Sequence, residues 1–418
     1  MSKGIPEGWV KVRLGEICSP KQWPTIPQSK FINDGYPVFG ANGQIGYYHT
    51  YNHEDETIAI TCRGATCGNV CLTPPKVYIT GNAMSLDNID GENVNVRFLY
   101  YQLNHDGLRK IISGSAQPQI IQSDLINTLI TLASLPEQRK IAAILSSVDD
   151  AIEKTKAVIE QTKVVKKGLM QKLLTRGIPG RHKKFKKTPI GEIPEEWEVV
   201  KLREVSKVGN GSTPSKKRAD YWENGTIPWL STGKVNDRII KVADTFITKK
   251  ALAECSVSLL PKGTILVAMI GQGKTRGMVA YLDIRACVNQ NFAYIKPTDR
   301  LDSWFLFHLL DFQYKILRNS GRGSNQDALN GAIIKLYKVP LPPLTEQMEI
   351  ATIFKQIEKR LFIEESIMNS FEFIKTALMQ VLLTGELMVK TLGRGDPAPT
   401  NRCTPVAVGG VSPPSFAH

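Results

Sequence analysis

From Ile141 onward, side chains suited to a helix–helix seam return at alternating steps of three and four. They are Ile141, Leu145, Val148, Ile152, Thr155, Ile159, Thr162, Lys166, Leu169 and Leu173. The same rhythm runs through Ile350, Phe354, Ile357, Leu361, Glu364, Met368, Phe371, Lys375, Leu378 and Leu382. Positions between them are mostly charged or small, and neither stretch holds a proline after its start. A mean step of 3.5 residues predicts a coiled-coil seam. Roughly 39 residues at 1.5 Å each predict rods of about 58 Å. Pro136 stands ahead of the first rod, and Gly177-Ile178-Pro179-Gly180 ends it.

These rods are the most regular part of a longer repeat. Pro6-Glu7-Gly8-Trp9 returns 188 positions later as Pro194-Glu195-Glu196-Trp197, and VRLGEI returns as VKLREV. Farther along, the offset becomes 209. Gly114-Ser115-Ala116-Gln117 matches Gly323-Ser324-Asn325-Gln326, LPEQRKIAAIL from Leu135 matches LTEQMEIATIF from Leu344, and KGLMQKLLT from Lys167 matches TALMQVLLT from Thr376. The difference of 21 places insertions in the first half of the second copy. The expectation is an α+β chain of two tandem, strand-rich globular units, each followed by a long helix. The two helices are expected to pair antiparallel, because that buries both seams.

VAMIGQGKTRGMV, residues 267–279, resembles a phosphate-binding loop, but the pattern fails. Ala268 stands where the first glycine of Gly-x4-Gly-Lys-Thr belongs, and Gly277 and the β-prone MVAYL come next where a helix is required. The first copy has Gly64, Thr66, Gly68 and Val70 opposite Gly273, Thr275, Gly277 and Val279, with Ala65 in place of Lys274. The prediction is strand, glycine-rich turn, strand. Cys62, Cys67 and Cys71 lack Cys-x2-Cys spacing, and their counterparts are Gly271, Arg276 and Ala280, so no metal site is expected. No Asp or Glu is followed two residues later by Lys, as a common nuclease signature requires, and no Asn/Asp-Pro-Pro-aromatic methyltransferase string occurs. No catalysis is expected in this chain.

Charge alters the picture more than composition does. The 418 residues carry a formal net charge of +14, which points to a polyanion. Between Lys163 and Lys187 stand ten Lys or Arg and no acid. Residues 181–187 read as a solvated basic tether or a phosphate contact. The start, MSKGIPEGWVKV, lacks an apolar signal core, and the seven cysteines lack a framework spacing, so a cytoplasmic chain with reduced thiols is expected.

The PEGW and PEEW openings, LPEQRKIAAILSSVDDAIE, LMQKLLTRGI, TEQMEIATIF and LMQVLLTGEL together resemble the specificity subunits of Type I restriction–modification systems, over residues 5 to 389. The resemblance implies two target-recognition domains reading a bipartite duplex DNA site, and helices that space the domains and dock two methyltransferase subunits. Two restriction subunits, S-adenosylmethionine, ATP and Mg are implied in the partner chains, with no cofactor in this one. Half-sites about one turn apart, roughly 34–36 Å, require such a fixed spacing. The other reading of the residues is a coiled-coil scaffold with peptide-binding domains.

The expected domains are 1–135, a first helix 136–180, a linker and second domain 181–343, a second helix 344–390, and a disordered Pro/Gly-rich tail 391–418. Base readers are expected among polar and basic residues on loops. The first unit offers Lys21, Gln22, Arg63, Thr66, Gln117 and Gln119, with Trp23 for packing or stacking. The second offers Ser215, Lys216, Lys217, Arg218, Lys234, Gln272, Lys274, Arg276, Arg322 and Gln326. The expected helical interface is Ile141, Leu145, Val148, Ile152, Ile159, Leu169 and Leu173 with Ile350, Phe354, Ile357, Leu361, Met368, Phe371, Leu378 and Leu382.

Overall fold

The structure is a computed structural model describing residues 5–41, 43–81, 83–114, 117–271, 273–320 and 329–389. The expected tail 391–418 lies outside these residues. Two compact units form. Unit 1 combines the chain up to Ile152 with the part from Ser370 onward, and unit 2 is Glu153–Asn369.

Unit 1 holds a four-stranded antiparallel sheet in the order Ser19–Gln22, Ala83–Asp87, Ile58–Thr61, Val70–Leu72. A three-stranded sheet places Tyr36–Gly40 between Gly43–Tyr48 and the parallel Tyr78–Ile79. Unit 2 repeats the first sheet with Ser206–Asn210, Phe292–Pro297, Ile265–Ala268 and Val279–Leu282, then adds the parallel strand Ile239–Ile240 at its edge. That strand and the 3-10 turns Ala219–Tyr221 and Thr232–Asp237 lie in the lengthened half of the second copy. Ile58–Thr61 and Ile265–Ala268 are buried along their whole length, as suits central strands covered on both faces.

The repeated phrases do the same work in each unit. Trp9 and Trp197 are buried and donate their backbone N–H to Pro6 O and Pro194 O, both at 3.1 Å. In VRLGEI and VKLREV a strand turns into one helical turn. There the Glu16 and Glu204 carboxylates each accept the preceding backbone N–H, of Arg13 and Lys201, at 3.0 Å.

The first long helix is Leu135–Arg176 and the second Leu344–Leu382. Proline is tolerated in the opening turn, where its missing N–H has no helical partner. Gly177, at φ +73, ends the first helix. The second ends before residue 390, with Gly385 at φ +67 and Leu387 N–H on Val381 O at 3.0 Å. Within unit 1, Ile141 and Leu145 share a core with Leu378, Leu382 and Leu383. Within unit 2, Met170 and Leu173 share one with Ile350 and Phe354. In each unit the beginning of one helix therefore meets the end of the other, the antiparallel sense. All the seam positions from Leu145 to Leu173 and from Ile350 to Leu382 are buried or half-buried, including the remaining interface candidates Val148, Ile152, Ile159, Leu169, Ile357, Leu361, Met368 and Phe371.

The polar seam positions are explained by pairing. Lys375 Nζ lies 2.6 Å from Asp149 Oδ1 in unit 1, and Lys166 Nζ lies 2.6 Å from Glu358 Oε1 in unit 2. Both partners in one pair stand 209 positions from those in the other. The glutamine of LPEQ and LTEQ is fully buried in both copies. Gln138 donates to Asn93 O and Ala133 O and accepts from Asn95 N–H. Gln347 donates to Arg300 O and Pro342 O and accepts from Asp302 N–H.

The basic run after the first helix is not a free tether. Arg181 pairs with Glu349 at 2.8 Å, Lys186 Nζ donates to Glu195 O at 2.7 Å, and Phe185–Thr188 pairs with Gly191–Pro194 as a hairpin. Glu346, almost wholly buried, accepts from Ile178 N–H and the Trp197 indole and faces His182 at 2.9 Å. These contacts fold the linker onto unit 2.

Candidate nucleic-acid interface

In unit 1 the turn joining Ile58–Thr61 to Val70–Leu72 is built on Gly64 and Gly68, at φ +88 and +90. Residues 117–120, with Gln119 bridged to Ser113, lie against it. Gly64 N–H donates to Pro118 O, Ile120 N–H donates to Cys62 O, and Arg63 bridges to Gln119. Arg63, Gln117 and Gln119 are thereby gathered with their side chains exposed. Thr66 comes to the same turn, but its hydroxyl donates to Ala41 O at 3.1 Å. Gln22 reaches Cys62 Sγ at 3.7 Å and gives its amide to Gly81 O, so it braces this edge. A cavity of about 670 Å³ opens beside the turn and is lined by Thr66, Asn69, Asn104 and Arg109 among others.

Lys21 and Trp23 belong to a second cluster. The Lys21 amine sits 3.7 Å from the Trp23 ring centre, and the indole N–H reaches Ser85 Oγ and Asp87 Oδ2 at 3.1 and 3.2 Å. His53 bridges Asn52 Oδ1 and Asp87 Oδ1 at 2.6 and 2.9 Å. Burial opposes ionisation of Asp87. Hydrogen bonds from His53 and Ser85, with the charges of His53 and Lys21, outweigh it and hold the carboxyl below its ordinary value. His53 and Asp87 stand 34 positions apart with no motif around either, so the sequence carries no signal of this pair.

In unit 2 the Gly-Lys-Thr stretch joins the antiparallel strands Ile265–Ala268 and Val279–Leu282. No helix succeeds it, so it has no phosphate-binding helix terminus. The helix Tyr314–Asn319 secures the turn: Tyr314 OH donates to Lys274 O at 2.6 Å and Arg318 Nη1 to Arg276 O at 2.9 Å. Gly277, at φ +84, passes so close that a Cβ would lie 3.0 Å from Arg318 Cα. Lys274 is exposed, whereas Arg276 is half-buried and its Nε lacks a hydrogen-bond partner among the described residues.

The other unit 2 candidates divide by ion pairing. Arg218 grips Asp220 with Nε at 2.9 Å and Nη2 at 2.5 Å, and its guanidinium lies 4.2 Å from the Tyr221 ring centre. Arg218 and Lys250 hold the Asp220 carboxyl well below its ordinary range. Lys234 pairs with Asp237 at 2.7 Å and Asp244 at 3.1 Å. These two cations are engaged in the fold. Ser215, Lys216 and Lys217 are exposed on the preceding loop. Gln272, Arg322 and Gln326 lie outside the described residues.

Cys62, Cys67 and Cys71 are reduced thiols, and burial raises the pKa of all three. This disfavours the thiolate that would bind metal. Among the described residues no group of three or more His, Cys, Asp or Glu is placed to hold a metal ion, and no helix is long and apolar enough to cross a membrane.

Residues 6–162 and 194–372 match the family described as Type I restriction modification DNA specificity domain. The chain belongs to this family. The Type I restriction enzyme MjaVIII specificity subunit of Methanocaldococcus jannaschii is 29% identical over 409 residues, covering 93% of this chain and 95% of that one. The putative MjaX specificity subunit of the same organism is 31% identical over 325 residues, 76% and 74% of the two chains. The crystal structure of a Type I system S subunit from M. genitalium superposes with a TM-score of 0.68 at 17% identity, over 94% of this chain and 99% of that chain, which establishes the shared fold. As a Type I DNA specificity subunit the chain recognises DNA sequence and is not itself the catalyst. The peptide-binding scaffold has no support.

Proposed function

We propose that the two units read the two halves of a bipartite duplex site, one half each. The long helices dock two methyltransferase subunits, and two restriction subunits complete the assembly in the cytoplasm. S-adenosylmethionine, ATP and Mg belong to those partners, and this chain holds no cofactor. One observation carries the reading. Both units join the same two strands by a glycine-rich turn that closes alike, with Gly68 N–H on Thr61 O and Gly277 N–H on Ala268 O, yet the second turn is two residues longer and carries Lys274 at the position that matches Ala65. A shared strand framework with unlike turns presents two different readers. The readers assigned are Arg63, Gln117 and Gln119 in unit 1, and Lys216, Lys217 and Lys274 in unit 2.

The test is a swap. Residues 5–134 are replaced by those of a relative, the chain is co-expressed with its methyltransferase subunits, and methylated motifs are mapped by long-read sequencing. One half of the motif should change and the other persist. A change in both halves refutes one-unit-per-half reading.

A further inference from the structure

A cavity of about 780 Å³ lies within unit 2, between the long helices and the sheet side of the unit. Its floor carries Met170, Trp304 and Leu361, with two ion pairs, Lys166–Glu358 at 2.6 Å and Arg238–Asp311 at 2.7 Å. Its other acids Asp237 and Asp283 are neutralised as well, by Lys234 and Lys262. Lys167, Lys241, Lys355 and Lys359 on its rim are exposed and have no ion-pair partner among the described residues. Against these four stands Glu365 alone, so the rim is electropositive.

The repeat shows that this charge is not part of the common scaffold. The positions matching Lys355 and Lys359 in unit 1 are Ser146 and Asp150, and the one matching Lys167 is Thr376. The neighbouring Lys166–Glu358 pair, in contrast, is duplicated by Lys375–Asp149. A protein partner present in two equivalent copies needs two equivalent surfaces, and this rim exists once. Exposed lysine amines are compact charges on flexible stems, suited to phosphates met without fixed angular geometry.

We infer that the rim of Lys167, Lys241, Lys355 and Lys359 binds backbone phosphates of the duplex, on the unit 2 side only, apart from the turns that read bases. This inference rests on the DNA-reading function proposed above. The experiment measures binding of the full chain with its methyltransferase subunits to a duplex bearing its mapped motif, between 50 and 200 mM salt. The parent is compared with a variant carrying Lys167→Gln, Lys241→Gln, Lys355→Gln and Lys359→Gln. Each lost phosphate contact flattens the slope of log K against log salt by about 0.9, so a loss of about 3 to 4 is expected. The methylated motif should be unchanged, and four arginines at these positions should restore the slope. A slope within about one contact of the parent's overturns the inference. If methyltransferase association is lost instead, with the slope intact, the groove docks protein and the inference is likewise wrong. A parent complex that shows no salt-dependent motif binding refutes the DNA-reading function itself.

Discussion

Replacing Gln347 by leucine tests whether the LPEQ/LTEQ glutamine is the clamp between a long helix and the unit it succeeds. The side chain is fully buried and makes three hydrogen bonds, at 2.8 Å from Asp302 N–H, 3.0 Å to Arg300 O and 2.8 Å to Pro342 O. Leucine fills similar space and satisfies none of these groups. A buried polar group left unpartnered costs about 1–3 kcal/mol, so three give about 3–9 kcal/mol. The added apolar burial returns about 1–2 kcal/mol. The net expectation is a loss of about 4 kcal/mol and no less than about 1 kcal/mol, confined to unit 2. Urea unfolding monitored by tryptophan fluorescence reads this directly, since Trp197, Trp222, Trp229 and Trp304 all lie in unit 2. Gln138→Leu should produce the matching loss in unit 1, because Gln138 makes the same three contacts. A loss under about 1 kcal/mol for Gln347→Leu would refute the clamp, since no single buried hydrogen bond would then have been broken at ordinary cost.

Other sites give two further expected outcomes. Lys274→Ala should leave folding intact and relax the second half-site by about 1–3 kcal/mol if the amine meets a base edge, or flatten the salt slope by about 1 if it meets phosphate. Motif mapping and salt titration check this, and ATP binding lost on the same substitution would restore the phosphate-loop reading. His308 is buried without a hydrogen-bond partner among the described residues, and burial, with the charges of Lys166 and Arg238, pushes its pKa well below the ordinary value. The unfolded chain binds a proton there below about pH 6.5 and the folded chain does not. The parent should therefore lose up to about 1.4 kcal/mol per pH unit below that point, a slope missing from His308→Phe in urea midpoints at pH 7.5 and 5.5.

The parts legible in the sequence are those governed by local period or by repetition. The seam could be traced through Thr155, Lys166, Glu364 and Lys375 because position alone decides which side chains face the other helix. The glycine turn could be separated from a phosphate loop because it leads into a strand rather than a helix. Pairing was the illegible part. Lys234 and Arg218 look like free cations in sequence, and only folding brings Asp244 and Glu254 to them. For Arg218 a local signal existed in Asp220, two residues on. The basic run 181–187 carried a similar signal in the acids Glu192, Glu195 and Glu196 just beyond it, which mark a hairpin rather than a tether. The His53–Asp87 contact gave no such hint, since nothing near either residue suggests the other.

The division of the chain has a consequence for its birth on the ribosome. Unit 2 is one continuous stretch, Glu153–Asn369, so every residue of its core has been synthesised once Asn369 is added. Unit 1 begins first and is completed last, because Leu382 and Leu383 are buried in the core that Trp9 and Leu14 open. Until they arrive, the N-terminal core has a gap on the side they fill. A premature stop just after Asn369 should therefore leave the second unit able to fold while crippling the first, the reverse of what a C-terminal truncation ordinarily does.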